Sequence, residues 1–514
     1  MKTNKLYYGD NLEVLRKYIK DNTVDLCYID PPFNSKRNYN QIYNNIGDED
    51  KAQAQAFIDT WTWNDEAIKG FEQIKSNYNG IYTKQSIELI IGLEKVLGKS
   101  ALLAYIISMT LRIAEIFRVL KPTGCFYLHC DPTSSHYLKL ITDSIFVPKG
   151  GDFVNEIIWC YSHGGKSKQH FGRKHDTIFL YSKTSYYTFN SDKIKIEMRS
   201  GKKSFGGRLE TDADGRKYRL VYGTKNKQGE TKYYKYYLDE GKIPEDWWTD
   251  INSIQASSAE RLGYPTQKPE ALLRRIIKAS SNEGDTILDA YCGCGTTITI
   301  AQELKRNWIG IDITYQSISL ILKRLEDSFD RHVLDSIELN GIPEDFNSAI
   351  ALAHKKDDKT RKEFEKWAVL TYSNNRAIIH EKKGADTGID GIAYMLDKND
   401  KNENELKQVL FSVKSDKTPH VSYIRDFHGT IEREKAAIGY FITLYPPTKD
   451  MILECKKIGL YKNKLMENEY PKIEIITVED ILAGKRISIP TSHQIDVVKS
   501  AKSKESKKKQ GKLL

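Results

Sequence analysis

Short apolar runs that stop at an acidic residue recur in the first two thirds of the chain. Such runs are typical of strands buried in an α/β sheet. Because open α/β sheets bind ligands beyond the carboxyl ends of their strands, each terminal acid is a candidate site residue. Three of these runs end at Asp30, Asp289 and Asp312. The pattern therefore predicts an α/β fold with a binding site along one edge of the sheet.

The segment Asp30-Pro31-Pro32-Phe33 follows the first run. The carboxylate of Asp30 can accept a hydrogen bond from an exocyclic amine, and Phe33 offers a ring on which a flipped base can stack. The two prolines fix the backbone and lack an N–H group, which frees their carbonyls to face a substrate. A strand followed by an ordinary Pro-Pro turn has the same sequence, and these four residues alone do not separate the two interpretations.

A glycine loop separates the second run from a predicted helix. Gly293 and Gly295 allow a tight turn and a close approach of the backbone to a ligand. Their spacing is not the GxGxxG dinucleotide fingerprint, and no lysine follows as in a P-loop. Asp312 ends the next strand about 20 residues on, where a carboxylate that binds ribose hydroxyls is expected. The loop and the acid together predict a nucleoside cofactor.

Together these residues resemble the DNA amino-methyltransferases, which methylate adenine N6 or cytosine N4 with S-adenosylmethionine. The catalytic segment precedes the glycine loop, an order similar to the beta class of that family. The resemblance reaches to about residue 330 and implies a Rossmann-like, S-adenosylmethionine-dependent methyltransferase fold that acts on double-stranded DNA. Five further stretches carry it: Tyr8 to Leu12, Leu120 to Gly124, Leu128 to Asp131, Lys174 to Asp176 and Thr266 to Pro269.

The resemblance implies roles for individual residues. The catalytic motif would comprise Asp30, Pro31, Pro32 and Phe33. The cofactor would be bound by Asp10, Lys268, Pro269, Asp289, Tyr291, Gly293, Gly295 and Asp312. Within that set, Asp10 would contact the adenine, Asp312 the ribose, and Lys268 the methionine end. Tyr291 stands where relatives commonly have Phe, so an aromatic ring is retained.

The first residue of the catalytic motif bears on the choice of base. Family members that methylate cytosine N4 more often begin the motif with Ser, so Asp30 favours adenine N6, with cytosine N4 as the alternative. The base would be extruded from the duplex at a cost of a few kcal/mol of stacking and pairing. Transfer to an exocyclic amine then needs mainly alignment, without a covalent enzyme intermediate.

Two stretches interrupt the α/β pattern of the predicted methyltransferase domain, residues 1–335. Residues 184–255 mix tyrosine with lysine and arginine, which fits strands that meet phosphates and bases. In the beta-class order the target-recognition region falls here, and an exposed β-hairpin insertion is the alternative. Residues 34–100, with Lys36, Arg37 and two tryptophans, predict a second DNA-facing insertion.

A second domain, residues 361–490, is predicted after a charged linker at residues 336–360. Asp390 ends one strand, and Ser412 and Lys414 lie on the next, which resembles the restriction-endonuclease-like fold of the Mrr type. In that family the first acid ligates Mg²⁺ and the lysine orients or activates water. The family carries Glu or Gln where this chain has Ser412, a weaker metal ligand. An active nuclease and a retained DNA-binding scaffold therefore both remain open.

Composition agrees with a DNA enzyme of several domains. The 79 Lys and Arg against 69 Asp and Glu give a net charge of +10 over 514 residues, the sign that attracts phosphates. The seven cysteines show no zinc or CxxC spacing, which predicts buried thiols in a reducing cytosol. No signal region or membrane span is predicted, so a cytoplasmic location is expected. Residues 491–514 predict a disordered basic tail.

The sequence therefore predicts a site-specific DNA methyltransferase fused to a restriction-endonuclease-like domain, acting in restriction–modification or phage defence. The rival hypothesis is a restriction nuclease whose methylase half serves only DNA recognition. A homodimer and a subunit of a larger restriction system are both compatible with the family pattern.

Overall fold

The computed structural model describes most of the chain, with residues 37–42, 53–59, 331 and 358–361 described by their backbone alone. Phe33 of the catalytic motif and the predicted tail lie outside the described residues. The described ranges are 4–32, 37–42, 53–59, 61–162, 168–197, 208–225, 229, 231–255, 258–262, 264, 266–343, 345–354, 358–374, 376–379, 388–399 and 404–489.

Nine strands of the first 340 residues form one sheet, in the order β11-β6-β7-β5-β2-β12-β13-β1-β14. Strand β7 is antiparallel to both of its neighbours, and the other neighbouring pairs are parallel. The strands of this part of the chain are β1 (Asn4–Tyr8), β2 (Val24–Ile29), β3 (Arg37–Ile42), β4 (Gln53–Asp59), β5 (Leu120–Cys130), β6 (Asp152–Cys160), β7 (His175–Ser182), β8 (Leu209–Thr211), β9 (Lys217–Lys225), β10 (Thr231–Tyr237), β11 (Trp247–Trp248), β12 (Thr286–Asp289), β13 (Asn307–Asp312) and β14 (Ile337–Asn340).

Helices cover both faces of this sheet, because its central strands are apolar on both sides. On β2, Cys27 and Ile29 pack into one core, while Leu26 and Tyr28 pack into another on the opposite face. The helices of this part are α1 (Asn11–Tyr18), α2 (Asp65–Lys75), α3 (Lys84–Leu97), α4 (Ala101–Val119), α5 (Ser135–Phe146), α6 (Glu270–Ser280), α7 (Thr296–Glu303) and α8 (Tyr315–Phe329). Short 3-10 helices span Tyr78–Gly80, Val147–Lys149, Ser191–Ile194, Leu238–Glu240 and Arg331–Ser336.

Two small sheets lie within the predicted insertions. Strands β8, β9 and β10 form a three-stranded antiparallel sheet, and β3 pairs with β4. The first sheet falls within residues 184–255, and the second falls within residues 34–100 together with α2 and α3.

The C-terminal region builds its own five-stranded sheet, in the order β15-β16-β17-β18-β21. The first three strands are antiparallel, and β17, β18 and β21 are parallel. Strands β19 and β20 form a separate two-stranded sheet. The strands of the C-terminal region are β15 (Ile378–Ile379), β16 (Gly391–Lys398), β17 (Asn404–Lys414), β18 (Ile438–Thr443), β19 (Leu460–Lys462), β20 (Glu469–Pro471) and β21 (Ile473–Thr477). Its helices are α9 (Phe346–Ala353), α10 (Asp358–Tyr372), α11 (Val421–Arg433), α12 (Lys449–Ile458) and α13 (Val478–Leu482).

Two cores fill the C-terminal region, one on each face of its sheet. On β17, Val409, Phe411 and Val413 pack into one core, while Leu410 packs into the other. Among the described residues, no helix is long and apolar enough to cross a membrane.

Candidate active site at the carboxyl edge of the nine-stranded sheet

Acidic residues stand at or just beyond the carboxyl ends of five parallel strands. Neighbouring parallel strands end at the same edge of a sheet, so these acids share one edge. Those at β2, β12 and β13 belong to three adjacent strands. The five are Asp10, Asp30, Asp131, Asp289 and Asp312. The structure thus brings together the three acids that end the apolar runs of the sequence.

Asp30 holds one satisfied and one unsatisfied carboxylate oxygen. Its Oδ2 accepts a hydrogen bond from the Nζ of Lys268, and both side chains are at most 15% exposed. Its Oδ1 is buried and has no hydrogen-bond partner among the residues that the structure describes. A buried acceptor left unpaired costs about 1–3 kcal/mol. This oxygen is placed to accept a hydrogen bond from a substrate.

Lys268 therefore binds the acid that begins the predicted catalytic motif. The family resemblance implied that Lys268 lies near the methionine end of a cofactor, and that role stays a prediction. Pro269 is buried and occupies the N-cap position of α6, which begins at the next residue. Pro31 is buried and Pro32 is half-buried directly after Asp30.

Sequence reasoning gave no role to a buried network beside Asp30. His129 is fully buried, with its Nδ1 2.9 Å from the hydroxyl of Tyr28 and its Nε2 3.0 Å from Oδ2 of Asp176. The hydroxyl of Tyr161 donates to the other oxygen of Asp176 at 3.1 Å. Tyr28, His129 and Asp176 lie in or beside stretches that carried the family resemblance, but those stretches did not show that the three side chains meet.

The charge of Asp176 is set by this network. Burial opposes ionisation, but the hydrogen bond and charge of His129, followed by the charge of Lys268, hold the pKa of Asp176 below its usual range. Because β7 is antiparallel to β5, its first residues reach the same edge as the end of β5. Asp176 is thus an ionised acid beside the Asp30–Lys268 pair.

The glycine loop has the geometry that its sequence requires. Gly293 and Gly295 have φ of +48° and +75°, and a Cβ at position 295 would lie 2.7 Å from Ile321. The N–H of Gly293 donates to Oδ2 of Asp312 at 2.9 Å. The N–H and the hydroxyl of Thr314 donate to Oδ1 of the same carboxylate, at 3.0 and 3.1 Å. The loop and the strand-end acid therefore form one unit.

Burial raises the pKa of two acids at this edge. Burial, followed by the charges of Asp30 and Asp312, raises the pKa of Asp289 to about 7, while hydrogen bonds from Thr297 and Tyr291 oppose this shift. Burial also raises the pKa of Asp312. An edge with several crowded carboxylates favours a ligand that brings positive charge and hydroxyl donors.

Two other predicted cofactor residues have identifiable protein contacts. The hydroxyl of Tyr291 lies 3.6 Å from the sulfur of Met109. Asp10 caps α1, accepting from the backbone of Leu12 at 2.9 Å, and pairs with Arg112 at 2.7 Å. The carboxylate of Asp10 is thus engaged by the protein, and its predicted contact with adenine stays a prediction.

The candidate nuclease residues meet where β16 starts and β17 ends. The prediction that Asp390 ends a strand was wrong, because residues 388–390 are not in a strand and Asp390 directly precedes β16. Ser412 and Lys414 lie at the end of β17, as predicted on one strand. Oδ2 of Asp390 accepts from the backbone N–H of Val413 at 2.6 Å. Ser412 is 2% exposed, and the ammonium of Lys414 lies 5.9 Å from the ring centroid of Tyr423. In the described part of the chain, no three His, Cys, Asp or Glu side chains are grouped to hold a metal ion.

The small sheet of β8 to β10 exposes aromatic rings. Tyr222 and Tyr233 form an edge contact at 5.1 Å and are 62% and 60% exposed. Lys235 lies 4.7 Å from the ring centroid of the neighbouring Tyr218. Exposed rings interleaved with cations are suited to stacking on bases and to contacting phosphates.

Comparison with known proteins agrees with both halves of this description. Residues 24–323 match the DNA methylase family, and residues 357–459 match the restriction endonuclease family. The DNA adenine methyltransferase YhdJ of Escherichia coli is 33% identical over 42% of this chain and 64% of its own length. The type II methyltransferase M.HpaI of Haemophilus parainfluenzae is 30% identical over 44% of this chain and 60% of its own length.

The chain thus spans less than two thirds of the length of these two relatives. Among solved structures, the PvuII DNA methyltransferase (cytosine-N4-specific) aligns with 66% of this chain and 94% of its own, at 14% identity and a TM-score of 0.39. The family match covers more than half of the chain, which confirms the methyltransferase fold predicted from the motifs, and the second match confirms the predicted nuclease-like region. The chain belongs to the DNA methylase family.

Proposed function

We propose that this protein is a site-specific DNA methyltransferase that transfers a methyl group from S-adenosylmethionine to the exocyclic amine of a flipped base. The observation that carries the proposal is the buried Oδ1 of Asp30, which has no hydrogen-bond partner among the described residues. An amino group placed there would supply the missing hydrogen-bond donor. Both the acid that begins the motif and the adenine methyltransferase among the relatives support adenine N6, with cytosine N4 as the alternative.

The cofactor suits the residues at this edge. S-adenosylmethionine, when bound, supplies a methyl group that its positive sulfonium makes electrophilic. The crowded carboxylates of Asp30, Asp289 and Asp312 favour that positive charge, and the glycine loop leaves room for close approach. Asp312 would hold the ribose hydroxyls. Tyr291 and Asp10 would complete the pocket.

The chain's own residues would orient the amine. Oδ1 of Asp30 would accept one N–H of the amine and the carbonyl of Pro31 the other, which directs the nitrogen lone pair toward the methyl group. Lys268 holds Asp30 from the opposite side through Oδ2. Phe33 would stack on the base, as its place in the motif predicts. The enzyme would thus act mainly by alignment.

We propose double-stranded DNA in the cytoplasm as the substrate, with the sheet of β8 to β10 as the recognition surface. Its exposed tyrosines and neighbouring lysines support this role. The adjoining restriction endonuclease match supports a place in restriction–modification or phage defence. Assembly as a homodimer or within a restriction complex is a further proposal that a mass measurement in solution would test.

The rival function is DNA cleavage with Mg²⁺ by the C-terminal region. Of the three residues predicted for that site, Asp390 supplies the single carboxylate, and the backbone of Val413 already engages it. Ser412 supplies a hydroxyl where the family carries Glu or Gln. Asp386, four residues before Asp390, lies outside the described residues. The described residues do not make up a Mg²⁺ site, and we derive no cleavage step from them.

The test is modification-sensitive sequencing of DNA from a methylation-free host that expresses the protein. We expect one methylated base within a recurring motif, and its loss in Asp30→Ala with at least a 100-fold lower methylation rate in vitro, the scale for losing a preorganised active-site hydrogen-bond partner. Asp21→Asn is the control, because Asp21 precedes the amino end of the same strand and is 66% exposed. Unchanged methylation in Asp30→Ala would refute the catalytic assignment.

A further inference from the structure

A carboxylate from the nuclease-like region reaches the cofactor edge of the methyltransferase sheet. Oε2 of Glu363, on α10, accepts a hydrogen bond from the backbone N–H of Tyr315 at 3.0 Å. The same oxygen lies 3.4 Å from the hydroxyl of Tyr8, which donates to it. Glu363 is 15% exposed and is held by Lys366 at 3.0 Å. It is thus a fixed acceptor shared by two parts of the methyltransferase half.

The two groups of the methyltransferase half that donate to Glu363 flank Asp312. Tyr8 ends β1 and is the register partner of Asp312 on β13. The next residue, Gly9, donates its N–H to the carbonyl of Asp312 at 2.9 Å. On the other side, Tyr315 is the first residue of α8 and follows Thr314, whose N–H and hydroxyl hold the carboxylate of Asp312.

The N–H of Tyr315 is one of the donors that a helix leaves without an internal partner at its start. The side chain of Thr314 caps α8 by accepting a hydrogen bond from the N–H of Ser317. The carboxylate of Glu363 accepts the hydrogen bond from the N–H of Tyr315. An anionic acceptor is also favoured there by the helix dipole. The first turn of α8, and with it the orientation of Thr314 and Asp312, is therefore fixed in part from outside the methyltransferase half.

The packing around this contact makes it rigid. Tyr315 is 7% exposed and belongs to the core of the C-terminal region rather than to that of its own sheet. Its hydroxyl lies 2.9 Å from that of Thr371, and its ring meets that of Tyr8 edge-on at 6.1 Å. A movement of α10 would move both residues that flank Asp312.

We infer that Glu363 is a positioning residue for the cofactor site, so that the nuclease-like region sets the affinity of the methyltransferase for S-adenosylmethionine. This inference rests on the proposed function, because it assigns the cofactor to the edge that contains Asp312. It gives the C-terminal region a role that does not depend on cleavage. It also makes cofactor binding and the placement of α10 mutually dependent, since coupling between two sites is reciprocal.

The test compares the full-length wild type with Glu363→Ala and Glu363→Gln by calorimetric titration with S-adenosylmethionine. Loss of the buried acceptor in Glu363→Ala should raise the dissociation constant about tenfold. Glu363→Gln keeps an oxygen for the N–H of Tyr315 and should recover most of the affinity. In the methylation assay, the loss in Glu363→Ala should fall on the KM for the cofactor, with kcat within about twofold of the wild type.

Two matched controls separate positioning from general damage to the interface. Lys362→Ala alters an exposed neighbour on the same helix, and Thr371→Val removes the other hydrogen bond to Tyr315 while keeping side-chain size. Both should bind S-adenosylmethionine within about twofold of the wild type. A readout that needs no cofactor is amide hydrogen exchange over residues 314–318, which should accelerate in Glu363→Ala alone.

The outcomes separate the two proposals. A folded wild type that binds no S-adenosylmethionine would overturn the proposed function and this inference with it. A wild type that binds, with equal affinity and equal exchange in Glu363→Ala, would overturn the inference and leave the function standing. Weak binding in Glu363→Gln as well as in Glu363→Ala, with exchange unchanged at α8, would also contradict positioning through the N–H of Tyr315.

Discussion

Each of the two large sheets has a candidate acid next to a strand terminus, but the two acids differ in their bonding. Asp30 follows the end of β2, whereas Asp390 precedes the start of β16. In the nine-stranded sheet, Asp30 keeps a buried oxygen without a partner among the described residues, and the pKa of Asp289 is raised to about 7. In the five-stranded sheet, Asp390 accepts a 2.6 Å hydrogen bond from the backbone of Val413. An acid next to a strand terminus is a candidate for chemistry when one of its buried oxygens has no hydrogen-bond partner or when its pKa is shifted.

The largest expected effect would come from removing the counter-ion that holds Asp30. In Lys268→Met we expect methylation to fall about 100-fold in kcat/KM, because the carboxylate that we propose binds the amine loses its charged partner in a buried site. The measurement is transfer of a labelled methyl group to DNA that contains the recognition motif. The expected loss would show that methylation depends on the ion pair between Lys268 and Asp30.

The matched control for Lys268→Met is a second Lys–Asp pair on the same strand. Lys121 binds Asp25 at 2.7 Å near the amino end of β2, far from the strand end that carries Asp30. Lys121→Met should leave methylation within about twofold of the wild type. Equal losses of methylation in Lys268→Met and Lys121→Met would mean that lower stability, rather than the position of the charge, explains the result. The contrast drawn between the two sheets would then be wrong.

The amino-acid sequence was sufficient to predict that three acids meet at this edge. Asp30, Asp289 and Asp312 each end an apolar run, and parallel neighbours bring such ends together. Pairing of Lys268 with Asp30 was beyond prediction, because the two are 238 positions apart and meet only after the chain has crossed the sheet. The same limit applies to Glu363, which acts at an edge built by the other half of the chain.

A second expected effect is the pH dependence of the unfolding free energy that Asp289 causes in the nine-stranded sheet. Its pKa in the folded protein, about 7, lies above its value of 3.8 in an unfolded chain. The folded state therefore holds a proton that the unfolded state has lost, and this carboxyl makes the protein less stable as pH rises from about 4 to 7. Asp289→Asn removes that penalty.

We expect apo Asp289→Asn to exceed the wild type in unfolding free energy by about 4 kcal/mol at pH 8, with the difference shrinking toward pH 5. Calorimetric unfolding of both proteins at several pH values measures it, and Asp285→Asn, near the start of the same strand, serves as the control. The variant should also bind S-adenosylmethionine more weakly at pH 8, since the site loses a negative charge. A difference in stability that does not vary with pH would contradict the assignment.

Recognition of the overall fold needed less information than recognition of the sites. Apolar runs, glycine spacing and the order of motifs were enough for both halves, and the family matches confirm them. The predicted site residues and domain boundaries stay predictions. Polar networks such as Tyr28–His129–Asp176 depend on side-chain directions at the ends of three strands, which periodicity does not encode.

The smallest expected effect tests the other side of the comparison, at Asp390. Asp390→Ala should lower the unfolding free energy by about 1 kcal/mol, because the N–H of Val413 loses its acceptor. Asp390→Asn keeps an acceptor oxygen, so its unfolding free energy should stay near that of the wild type. Neither variant should change methylation more than twofold. Calorimetry, together with incubation of unmodified and modified DNA with Mg²⁺, measures both properties. If the wild type cleaves DNA and the equally stable Asp390→Asn does not, Asp390 has a chemical role in cleavage. Only such a role distinguishes Asp from Asn at this position.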